Sequence, residues 1–129
     1  MKLEFVGFAE LSIPGPLSLV DAPRERRSAE ELRQILGYLG DGHLLAASGA
    51  VADVLDRSRQ RVVAAEVRTD GVWVWPNEIT YYVANYGVAV PERFVAHART
   101  SGWSVPPLPR DRLMEILRAV QHDLHQAGT

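Results

Sequence analysis

Thr69-Asp70-Gly71-Val72-Trp73-Val74-Trp75-Pro76-Asn77-Glu78-Ile79-Thr80-Tyr81-Tyr82-Val83 is the stretch on which the reading of this chain turns. Asp70-Gly71 predicts a tight hairpin, because a two-residue type I′ turn needs positive φ at both central positions. In that register Thr69 pairs with Val72, Arg68 with Trp73, Val67 with Val74 and Glu66 with Trp75. Side-chain alternation then sets Ala65, Val67 and Val74 on one face and Glu66, Arg68, Trp73 and Trp75 on the other. Pro76 cannot donate to a ladder and suits the approach to a helix. Asn77 is its expected N-cap, and Ile79, Tyr82, Val83 and Tyr86 recur at helical spacing until Gly87 closes it. From Gly71 to Val90 the only charge is Glu78, while most of the chain's three Trp and four Tyr residues fall there. That is the composition of a core.

Upstream, Leu3 to Leu11 alternates loosely and reads as a strand, broken by Ile13-Pro14-Gly15-Pro16. The proline-containing run to Arg24-Glu25-Arg26-Arg27 reads as a surface connection. Ser28-Ala29-Glu30-Glu31 is a capping box, and behind it Leu32, Ile35, Leu36 and Leu39 form one apolar helix face ended by Gly40-Asp41-Gly42. His43 to Ser48 reads as a short strand. Gly49 to Asp56 fits either a helical turn or a loop that tucks valines inward. Arg57 to Arg61 is a charged connection, and Val62 to Arg68 the strand that enters the hairpin.

Downstream, Pro91 opens a helix with Phe94, Val95 and Ala98 on its apolar side, ended by Ser101-Gly102. Trp103 to Pro109 is an extended crossing. Asp111 caps a last helix whose stripe is Leu113, Ile116, Leu117, Val120 and Leu124. The order of elements predicts a single α+β domain over residues 1–129, an antiparallel sheet with a DG hairpin packed against about four helices.

The length of 129 residues suits one domain with a real core. The absence of cysteine excludes disulfides, thiolate metal sites and cysteine nucleophiles, and fits a reducing cytosol. The first residues carry neither a basic n-region nor a long apolar h-region, and no apolar run is long enough to span a membrane. A formal charge of −2 points to neither nucleic acid nor an anionic membrane as partner.

Candidate chemistry is sparse. His122 and His125 stand one helical turn apart, but a zinc site needs a third protein ligand, and none lies at helical spacing on that face. His97, between two alanines, reads as the polar margin of a helix. Gly37 to Gly42 is Gly-rich but follows a helix, so it cannot cradle a phosphate on N-terminal amides. A Gly-x-Ser-x-Gly elbow is absent. Arg57, Arg59 and Arg61 read as a solvated loop. No catalytic residue, metal ligand or cofactor is expected from these patterns.

The partner-binding candidates are Glu66, Arg68, Trp73 and Trp75. A guanidinium over an indole contributes roughly 0.5–2 kcal/mol, and Trp with Arg is the composition of interface hot spots. The competing reading is that the tryptophans anchor the sheet to a helix, with Glu66 and Arg68 at the rim.

Asp70-Gly71-Val72-Trp73-Val74-Trp75-Pro76, with Tyr81-Tyr82-Val83 and Gly87-Val88-Ala89-Val90-Pro91-Glu92-Arg93-Phe94, resembles a group of small actinobacterial proteins. These carry a DG-x-W-x-W hairpin, a YYV helix and a GV-x-(L/V)-P-x-x-F step. Some of them resemble the immunity-type partners encoded beside secreted toxins. The resemblance implies a non-enzymatic, cytoplasmic inhibitor that occludes a cognate toxin, and it transfers no functional residue. The alternative, from a different class, is a small ligand-binding or enzymatic domain with its pocket between hairpin and helices. Glu66 or Glu78 near His97 would mark that pocket.

Overall fold

The computed structural model describes residues 2–127. It is a mixed α+β fold with a four-stranded sheet and four helices, in the order β1 (Glu4–Phe5), α1 (Ala29–Asp41), β2 (His43–Val51), β3 (Val63–Thr69), β4 (Trp73–Pro76), α2 (Glu78–Tyr86), α3 (Glu92–Thr100) and α4 (Arg110–Ala127). The sheet order is β1-β4-β3-β2. β2, β3 and β4 are antiparallel, but β1 lies parallel to β4, with Glu4 opposite Trp73 and Phe5 opposite Val74. The expected antiparallel pairing thus holds for β2, β3 and β4 and is corrected for β1. The N-terminal strand is also much shorter than Leu3 to Leu11.

After Phe5 the chain leaves the sheet and crosses itself. A Cβ on Gly15 would press on the backbone of Gly7, so both glycines serve close backbone approach. The segment that follows is not wholly a surface connection: Leu11, Ile13, Leu19 and Ala22 are buried.

The hairpin register differs from the expected one. Thr69 faces Val74, Arg68 faces Trp75 and Val67 faces Pro76, a slip of two residues along β4. The cause is the Asp70 side chain. Its Oδ1 accepts from the amides of Val72 at 2.9 Å and Trp73 at 2.7 Å, and the Asp70 amide donates to Trp73 O at 3.3 Å. The two central residues are therefore Gly71 and Val72, with Gly71 alone at positive φ (101°). A glycine at the first central position suits the II′ geometry and not I′. An even slip leaves the same residues sharing a face.

Both faces of the sheet are covered. On one side Trp73 and Trp75 join Ile35, Tyr38, Leu39, Ile79, Tyr82, Phe94 and Val95 in the larger core, under α1, α2 and α3. Phe94 meets both indoles edge-on, at 5.4 and 5.3 Å between centroids. On the other, Val67 and Val74 pack with Ile13 and with Ile116 and Val120 of α4. β2 is an edge strand. Two register shifts against β3 mark bulges, and the strand continues through the ambiguous segment to Val51.

Candidate functional site

The four expected partner-binding residues divide by depth. Trp75 is fully buried and its Nε1 donates to Leu39 O at 3.1 Å. Trp73 is buried as well, with the Arg93 guanidinium 5.7 Å from its ring. The two indoles are thus interior, and the reading that sets them against a partner is corrected. The sheet face that carries them is closed by the chain's own helices. Gly42 shows how closely: a Cβ there would overlap the Trp75 ring.

Glu66 and Arg68 remain at the rim, with side chains 23% and 21% exposed. They are locked together. Arg68 donates from Nε at 3.2 Å and Nη2 at 3.0 Å to Glu66 Oε1, while its Nη1 donates to Gly42 O at 2.7 Å. Asn77 Nδ2 donates to the same Oε1 at 3.1 Å. Leu44, 49% exposed, is the cross-strand neighbour of Arg68 and completes the patch.

The buried carboxylates are each tied into backbone. Glu78 accepts from the amide and hydroxyl of Ser12, at 2.8 and 2.9 Å, and from the Glu66 amide at 3.1 Å. It fastens the N-terminal loop to β3 from the first turn of α2. Asp53, fully buried, holds the β2–β3 connection: Oδ1 accepts from the Leu55 and Asp56 amides, and Oδ2 from Tyr81 at 2.8 Å and Tyr86 at 2.5 Å. Burial alone would push its pKa up. The bonds from Tyr86, Leu55, Tyr81 and Asp56 outweigh that and hold the carboxyl below its usual value. Tyr82 adds a third clasp by accepting from the Val54 amide at 3.0 Å.

Among the described residues Asp70 makes the one contact that resembles a catalytic arrangement. Besides the hairpin amides, its Oδ2 accepts from the Tyr38 hydroxyl and from His97 Nε2 at 3.0 Å. An ionised carboxylate only accepts, so His97 donates to it from Nε2. The Asp70 side chain is fully enclosed and that of His97 is 29% exposed. Burial, then the hydrogen bond and charge of Asp70, push the Tyr38 hydroxyl well above its usual pKa. His97 is therefore more than a helix margin. Its partner is Asp70, and neither Glu66 nor Glu78 fills that role.

Among the described residues no three His, Asp or Glu side chains converge as metal ligands. His122 and His125 are exposed on α4. Arg24 is spent on Leu19 O and Ala22 O, and Arg27 on Glu25, Glu31 and Glu92. Among the described residues no helix is long and apolar enough to cross a membrane.

Sequence reasoning missed Asp53, Asp70 and Tyr38. Asp70 carried a signal, because a turn aspartate can bond the amides ahead of it. The long-range partners carried none. The chain matches no known protein family, no curated protein and no solved structure.

Proposed function

We propose that the chain is a protein-binding module of the immunity or antitoxin kind, which occludes the active site of a partner toxin through the patch of Leu44, Glu66, Arg68 and Asn77. One observation supports this: Glu66 Oε1 takes every bond from Arg68 and Asn77. Among the described residues Oε2 has no such partner. A carboxylate oxygen held at a fixed place beside an exposed leucine costs little side-chain entropy to engage. It suits the cationic side chains of an active site. Mixing the purified protein with the product of the neighbouring reading frame tests the proposal. Co-elution at micromolar concentration supports it, and separate elution contradicts it.

The Asp70–His97 contact favours a second reading, a small ligand-binding or enzymatic domain in which His97 acts through Nδ1. A hydrolytic activity on ester or phosphoester substrates that His97→Gln abolishes would favour it. Ring resonances of His97 that ignore every such substrate would remove it.

A further inference from the structure

Among the described residues β2 is the one long strand with an open edge: β3 pairs with it on one side, and no strand lies on the other. The opposite edge of the sheet is β1, two residues long and flanked by the Glu4–Arg93 pair. β2 runs for nine residues, and every one from Ala46 to Val51 is exposed. The crossing from α3 to α4 meets the strand at its start, where His43 Nε2 and Pro106 O are 2.8 Å apart. From Leu44 to Val51 there is neither a charge nor a proline. Charges and prolines are the devices by which natural edges ward off a further strand.

The two bulges give this edge a symmetry. In a regular strand, side chains on one face recur at every second residue. Each bulge adds one residue, so Leu44, Ala47 and Ala50 share a face, opposite Arg68, Glu66 and Ala64 of β3. These three positions are evenly spaced about Ala47, and a two-fold axis through Ala47 maps the set onto itself. Antiparallel pairing of two β2 strands about that axis sets Ala47 against Ala47 of the second copy. It also sets Leu44 of each copy beside Ala50 of the other, and one bulge opposite the other. Leu44 is 49% exposed, and the exposed Ala50 and Ala64 form the low step that receives it. Symmetry makes this contact twice. The two Glu66 positions then stand three strand spacings apart, about 14 Å, so like charges do not meet across the seam.

We infer that two copies of this chain pair through β2, antiparallel and two-fold about Ala47, joining their sheets into one. The seam from Leu44 to Ala50 is far shorter than the roughly 20–30 residues a side of a standard interface. The dimer is accordingly weak, with a Kd on the order of 10–100 μM. The inference does not rest on the toxin-binding reading. Leu44 serves both surfaces, so the dimer and a complex through that patch exclude each other there.

Sedimentation equilibrium of the intact chain, from low micromolar to near-millimolar concentration, tests this with Ala47→Lys and Ala47→Glu. The wild type is expected to pass from monomer to dimer across that range. Each variant alone sets two like charges face to face on the axis and weakens the dimer at least about tenfold. The thermal midpoint of the dilute protein is little changed, because Ala47 is exposed. An equimolar mixture of the two variants sets opposite charges on the axis and restores the dimer, which mere damage to the fold would not allow. A wild type that stays monomeric throughout overturns the inference. So does a dimer that both variants leave intact, or one lost in both and not restored by mixing them.

Discussion

At the scale of single residues, the interior is fixed by a few contacts that leave no slack. Gly42 has an ordinary φ of −58°, so no backbone need explains the glycine. The Trp75 ring and Arg68 Cβ occupy the place a methyl would take. Gly42→Ala is expected to lower stability by about 1–3 kcal/mol through overpacking, read as a lower thermal midpoint. An unchanged midpoint would mean that Trp75 is not seated as described. Asp53 makes a second prediction. Its folded pKa lies below the unfolded value, so in acid the unfolded chain binds more protons. The stability it confers is fully present above the unfolded pKa of about 4, and it is lost as pH falls through the folded value. Asp53→Asn should cost roughly 1–3 kcal/mol at neutral pH and flatten the acid limb of the stability profile. Denaturant titrations across that range check both parts.

At the scale of elements, α2 acts as a clamp. Tyr81, Tyr82 and Tyr86 hold the β2–β3 connection, and Tyr38 of α1 holds the hairpin turn. All four tyrosines of the chain are held above their usual pKa. Tyr86 is pushed up to about 12 by its bond to Asp53 and by burial. For Tyr38, Tyr81 and Tyr82 burial is the first cause. A raised value means that the folded chain keeps protons the unfolded chain releases. The contribution to stability is therefore complete below about pH 10, and it disappears as pH rises towards the folded values. Tyrosinate absorbance should stay flat near pH 10 and then rise together with loss of helical circular dichroism. Ionisation of several tyrosines in a chain that is still folded would contradict the clamp.

The elements also show where local pattern is enough and where it is not. Ser28 caps α1 as its spacing predicts, with Oγ accepting from the Glu31 amide. The second half of the capping box does not form, because Glu31 turns to Arg27 and Arg99 instead. Gly87, in the left-handed region at φ 69°, ends α2 as expected. The hairpin register departs from the expected one because the turn rule counts backbone only, whereas the Asp70 carboxylate takes the two amides. The parallel partner of β1 had no local signal at all. A two-residue strand is defined by the β4 edge it finds.

For the whole molecule, the aromatic residues that mark the centre of the sequence mark the centre of the fold. Amphipathic stripes could be read from spacing, but which face of the sheet each helix covers could not. Spacing alone therefore leaves a surface position open to Trp73 and Trp75, whereas α1 and α3 close over them. Of the candidate site, only Glu66 and Arg68 keep a surface position, and their lock with Gly42 and Asn77 depends on tertiary placement that no spacing reveals. The proposed role rests on that patch. Calorimetry of wild type and Glu66→Lys against the neighbouring gene product is the most direct test. Charge reversal at the rim also breaks the bonds from Arg68 and Asn77, so it should lower the thermal midpoint of the free protein and, at a temperature where the free variant stays folded, weaken the complex at least about tenfold. Equal affinity of the two proteins for that partner would contradict the account.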